Sequence, residues 1–136
     1  MKNWITLTGV LCTAVLCAAA DEKIAKPVDL SKLPPAATKQ GLTYEKDIKS
    51  IFDKSCIKCH GEEKQKGKFR LNSLEAALKG GEDGKMIVAG KSAKSPLLGS
   101  IARLDPDTSM PPEGKGDPLT RDQVSLIRGW IDQGAK

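Results

Sequence analysis

Cys56, Cys59 and His60 stand together in the pentad Cys56-Ile57-Lys58-Cys59-His60, and His60 is the only histidine in the chain. Two thiols three positions apart, followed at once by an imidazole, have few chemical uses. A disulfide would leave the histidine unexplained. A structural zinc ion wants four protein ligands, and the pentad supplies three. A dithiol redox pair of C-x-x-C type needs a βαβ setting, and no such pattern surrounds it. Covalent haem attachment uses every member of the pentad. Each thiol can reach one vinyl group and form a thioether, and the next residue is then held under the iron as proximal ligand. One haem c, attached through Cys56 and Cys59 with His60 on the iron, is the expectation.

The sixth iron position has two candidates. With no second histidine, a His/His pair is excluded, and Met/His is the usual arrangement in electron-transfer cytochromes c. Met86 lies in Lys85-Met86-Ile87-Val88, which reads equally well as core. Met110 precedes Pro111 and Pro112, which stiffen its loop, and it comes shortly before the last helix. Met110 is the stronger candidate. Arg70, between Phe69 and Leu71, is a candidate partner for a haem propionate, for which a guanidinium is geometrically suited. Lys54, Lys58, Lys64, Lys66 and Lys68 surround the attachment site as a candidate docking rim for an acidic redox partner. A lysine-rich solvated surface is the plainer explanation.

The elements that must position these residues are helical. Tyr44, Ile48, Ile51 and Phe52 share one helix face behind Thr43 as N-cap, and that helix runs into Cys56. Residues 61–72 read as loop. Ser73 starts a short helix that Gly80-Gly81 stops. Ser95-Pro96 starts another, with Ser95 as N-cap and Pro96 in the first turn. Thr120 and Gln123 make a capping box for a last helix with Val124, Ile127, Trp130 and Ile131 as its buried stripe. No strand pattern stands out, so the fold class is all-α, short helices and long loops around one haem.

The chain has 136 residues, one domain's worth. Residues 1–20 read as a secretion signal. Lys2 precedes an apolar run from Trp4 to Cys17, and Ala18 and Ala20 suit cleavage after Ala20. Leu11 and Leu16 before Cys12 and Cys17 argue against a lipoprotein site. An uncleaved anchor, and with it membrane association, is the alternative. Export to the periplasm is the expected localisation. Residues 21–42, rich in Pro, Lys and Ala, read as an extended arm, and residues 43–136 as the haem domain. Removing residues 1–20 takes away only Lys2 and leaves 21 basic against 17 acidic side chains, a net charge of +4. That mild excess favours acidic partners weakly and, with no Arg-rich patch or interleaved aromatics, argues against nucleic acid. Outside the signal the aromatic residues are Tyr44, Phe52, Phe69 and Trp130 alone, few for a core of this size, and a haem would fill the deficit.

An ordered series of motifs carries a resemblance. It comprises YEKDIKSIFDKSCIKCHG at Tyr44–Gly61, KGKFRL at Lys66–Leu71, GGEDG at Gly80–Gly84, KSPLL at Lys94–Leu98, MPP at Met110–Pro112 and WIDQGA at Trp130–Ala135. Over roughly residues 43–136 this resembles the planctomycete-type cytochrome c domain family. The resemblance implies haem attachment at Cys56 and Cys59 and axial ligands His60 and Met110. Two departures from small class I cytochromes stand out. Ile48 occupies the place of a glycine that lets their first and last helices cross closely. No proline follows His60 closely, so the carbonyl that orients its ring has no signature. The function that follows is a one-electron carrier and not an enzyme. The alternatives are an electron-accepting haem subunit bound to a dehydrogenase, with the arm as docking segment, and a haem enzyme such as a peroxidase.

Overall fold

The computed structural model describes residues 26–136. The expectations for residues 1–20, signal or anchor, fall outside that range. Five α-helices follow one another: α1 (Lys49–Ser55), α2 (Ile57–His60), α3 (Leu74–Lys79), α4 (Pro96–Ile101) and α5 (Arg121–Asp132). Among the described residues there is no strand, only the isolated bridges His60/Gln65 and Gly81/Gly84. The fold is helical.

The first helix does not begin as α-helix. A π-helical turn, Tyr44–Ile48, precedes α1, with the Thr43 hydroxyl accepting from Lys46 N. Nor does it run unbroken through the pentad. Cys56 departs from helical geometry (φ −125°, ψ −41°), and the chain restarts as the single turn α2. The turn Tyr44–Ile48 and α1 put Tyr44, Ile48 and Phe52 in the centre of the molecule, each at most 1% exposed. There Tyr44, Phe52 and Trp130 of α5 form a three-ring cluster with centroids 6.2–6.3 Å apart. Tilted ring pairs at this spacing add to simple area burial. A bulky Ile48 is therefore accommodated in the middle of the packing between the first and last helices.

α5 matches its sequence signature. Thr120 Oγ1 accepts from Gln123 N, and Gln123 Oε1 accepts from Thr120 N. Val124, Ile127, Trp130 and Ile131 are buried. Ser73 caps α3 as its position predicts. Ser95 does not cap α4. Its hydroxyl instead accepts from Val88 N and donates to Lys91 O, tying the preceding loop into a knot, while Pro96 takes the first turn. A loop with several unpaired backbone groups competes successfully for a short hydroxyl.

Residues 26–42 are mostly extended, with one 3-10 turn at Leu30–Lys32, and pack against the segment before α4 and along α5. Val28 N donates to Ala93 O, Ala37 N to Ser125 O and Ser125 Oγ to Pro35 O. Arg128 donates to Pro34 O at 2.8 Å. Leu33 and Leu42 join the core. Gly129 permits this approach. A Cβ there would sit 3.0 Å from Ala37 O and 3.1 Å from Ala37 N.

Candidate functional site

The pentad forms a tight, glycine-closed turn. Cys56 O accepts from both Cys59 N and His60 N, at 3.1 and 2.9 Å. Gly61 ends the turn where a Cβ would stand 2.3 Å from Ile57 O. A side chain there would have to push the backbone open. Both cysteines are free thiols. Burial pushes the Cys56 thiol up to about 12.

The His60 ring is oriented by a backbone carbonyl nine residues on: Nδ1 lies 3.2 Å from Phe69 O. A carbonyl only accepts, so Nδ1 carries the proton and Nε2 keeps its lone pair. The Phe69 ring meets the imidazole edge-on at 5.6 Å. This carbonyl is the partner that the sequence did not name. Several contacts hold it in place. Leu71 N donates to His60 O at 2.7 Å, and Tyr44 Oη donates to Leu71 O at 2.7 Å. Gly67 and Lys68 turn the chain with left-handed φ of 63° and 54°. The GGEDG segment backs that turn. Glu82 N donates to Gly67 O, and a Cβ on Gly81 would come within 2.4 Å of the same oxygen.

His60, Cys56 and Cys59 line one apolar cleft, and Met110 and Met86 line it too. Leu71, Leu97, Ile101, Leu119 and the Pro111-Pro112 pair complete most of the wall. Its empty volume, counting the part open to solvent, is about 700 Å³. The loop carrying Met110 is anchored to α4, with Met110 N donating to Ser100 O at 3.0 Å and Arg103 Nη1 to Pro111 O at 2.7 Å. Met86 sits at the edge of the α4 segment, its carbonyl accepting from Leu97 N.

Arg70 stands elsewhere. It lines a separate groove with Gln65, Lys68 and Lys79. Lys58 and Lys115 are the cations on the cleft itself. Lys54, Lys58, Lys64, Lys66 and Lys68 are all exposed. Trp130 is fully buried, donates from Nε1 to Lys136 O and is core rather than cleft. Among the described residues no three His, Cys, Asp or Glu side chains are placed to hold a metal ion.

Two free thiols on the wall, an imidazole with its Nε2 lone pair spare, a thioether side chain and an apolar lining fit a c-type haem. Residues 56–114 match the planctomycete cytochrome C family. No curated protein and no solved structure is similar enough to match the chain. The matched cytochrome C segment starts at Cys56 and takes in His60, Phe69, Met86 and Met110. A cytochrome c domain implies haem c and, in general, electron carriage. The family match thus supports a c-type cytochrome, and both cysteines of the pentad lie within it.

Proposed function

We propose that the chain is a monohaem c-type cytochrome that carries single electrons outside the cytoplasm. One observation carries the reading: His60 is fixed by Phe69 O, with Nε2 spare, in an apolar cleft shared with Cys56, Cys59 and Met110. Haem, when bound, supplies the one-electron couple at its iron. The protein's own residues do the rest. Cys56 and Cys59 hold the group covalently, so it is retained outside the cell. His60 and Met110 would be the side chains that ligate its iron. Phe69 O makes the imidazole a stronger donor by sharing its Nδ1 proton. The aliphatic wall keeps water away, which limits rearrangement when the charge changes.

Export to the periplasm rests on residues 1–20. A redox partner with an acidic docking surface rests on the exposed lysines around the pentad. The described arm lies on the chain's own α5, which supports a free carrier over a subunit docked through that arm.

The test is production in a host with c-type maturation machinery. Haem should stay on the denatured protein in a gel, and Cys56→Ala/Cys59→Ala should lose it. The oxidised protein should show the weak far-red band of a Met–iron bond. Met110→Ala should abolish that band and open the iron to carbon monoxide, and Met86→Ala should leave both unchanged. Zinc in place of iron would end the haem reading. Ready carbon monoxide binding and peroxide turnover by the unaltered protein would favour a haem enzyme.

A further inference from the structure

Arg103 holds a backbone conformation in which a Cβ is crowded, with φ at +56°. Glycine is the residue that takes the left-handed region without strain, and helices commonly end on one there. The position follows the last turn of α4. Ala102 N donates to Leu98 O and Arg103 N to Ser100 O. The retained side chain has a use: Arg103 Nη1 donates to Pro111 O at 2.7 Å. Ser100 O serves twice, accepting Arg103 N at 3.1 Å and Met110 N at 3.0 Å. Met110 is therefore bracketed. Its own N–H is tied to α4, and the carbonyl of the next residue is tied to Arg103, just past the C-cap of α4. Ser109, by contrast, bonds within the loop, to Asp105 O. Pro111 and Pro112 stiffen the chain locally but cannot fix the loop relative to α4. Hydrogen bonds to α4 can.

We propose that Arg103 is a positioning residue that sets how firmly the Met110 sulfur stays on the iron, and that its left-handed backbone is kept for the sake of that clamp. The proposal rests on Met110 being the axial ligand. A strained residue persists where its surroundings over-determine it, and here the surroundings are the Ser100 and Pro111 carbonyls. A guanidinium is the suitable donor, because its hydrogen bonds are charge-assisted and its planar fork is pre-organised.

Arg103→Gly separates the two roles, since it removes the clamp and relaxes the backbone together. In the haem-loaded protein, the unfolding midpoint should hold or rise. The far-red band should nevertheless disappear at a lower pH. Cyanide affinity of the oxidised iron should increase about tenfold, the effect expected of losing one charge-assisted hydrogen bond. The Met110 amide should exchange with solvent faster, a readout that does not pass through the iron. Arg103→Lys, which keeps the charge and one donor, should fall between. If the unaltered protein shows the band and Arg103→Gly changes neither its pH limit nor the cyanide affinity, the clamp is refuted and the axial ligand stands. If the unaltered protein lacks the band, Met110 is not the ligand and both readings fall.

Discussion

The Nδ1 proton of His60 has one acceptor, Phe69 O, and the quality of that contact decides what the imidazole does at its other nitrogen. Its support reaches back to a phenol in the core, because Tyr44 Oη donates to Leu71 O and Leu71 N donates to His60 O. Burial is the main cause that pushes the Tyr44 phenol up to about 12, with the Asp53 and Glu45 charges adding to it. An exposed tyrosine ionises near 10, so folding favours the protonated phenol. Its contribution is whole below pH 10 and is lost as the pH climbs from 10 to about 12. Tyr44→Phe should cost about 1–2 kcal/mol at neutral pH, chiefly by leaving Leu71 O unpaired, and should flatten the alkaline fall of stability. Denaturant titrations of both proteins from neutral pH into that range check it. Residue identities at the pentad were legible in the sequence because thioether chemistry needs those side chains at that spacing. The Phe69 carbonyl was not, because a backbone oxygen has no letter of its own.

At the scale of elements, the glycines carry as much of the site as the helices do. The turn at Gly67-Lys68 aims Phe69 O at His60, and Gly81 packs against the back of that turn. Gly81→Ala would place a Cβ 2.4 Å from Gly67 O. The expected outcome is a displaced Phe69 segment, a weakened His60–Phe69 bond and, with the imidazole a poorer donor to iron, a higher reduction potential, read by redox titration. Little change in overall helicity should accompany it. An unshifted potential would show that the Phe69 segment absorbs the methyl elsewhere. α5 was readable almost in full, since its capping box and its apolar stripe are local patterns. Cys56 as a helix break, the π turn at Tyr44–Ile48 and the diversion of Ser95 were not. The π turn packs Tyr44 against Trp130, far along the chain, and Ser95 is diverted by the Val88–Lys91 loop just before it, so neither is set by the local helix pattern.

Taken whole, the molecule is a helical shell with a strap. Arg128 is the buckle, donating to Pro34 O and, at 3.5 Å, to Leu30 O from the middle of α5. Arg128→Ala should cost about 2 kcal/mol, since it leaves the carbonyl of buried Pro34 unpaired. It should also make the arm cleavable by protease at Lys32 and Lys39, whereas Arg121→Ala, at an exposed site, should do neither. Composition marked residues 21–42 as non-helical but could not say what they lie on, because Pro and Ala carry no address. The cleft, too, has a consequence at this scale. Under the proposed function the one histidine, held by Phe69 O on one side, would bind iron on the other, and both thiols would become thioethers. No free histidine would then remain, and histidine is the side chain whose ordinary titration falls between about pH 5 and 8. The rate at which the protein meets an acidic partner, measured at constant ionic strength, should run level across that interval: a carrier deaf to the acidity of its surroundings.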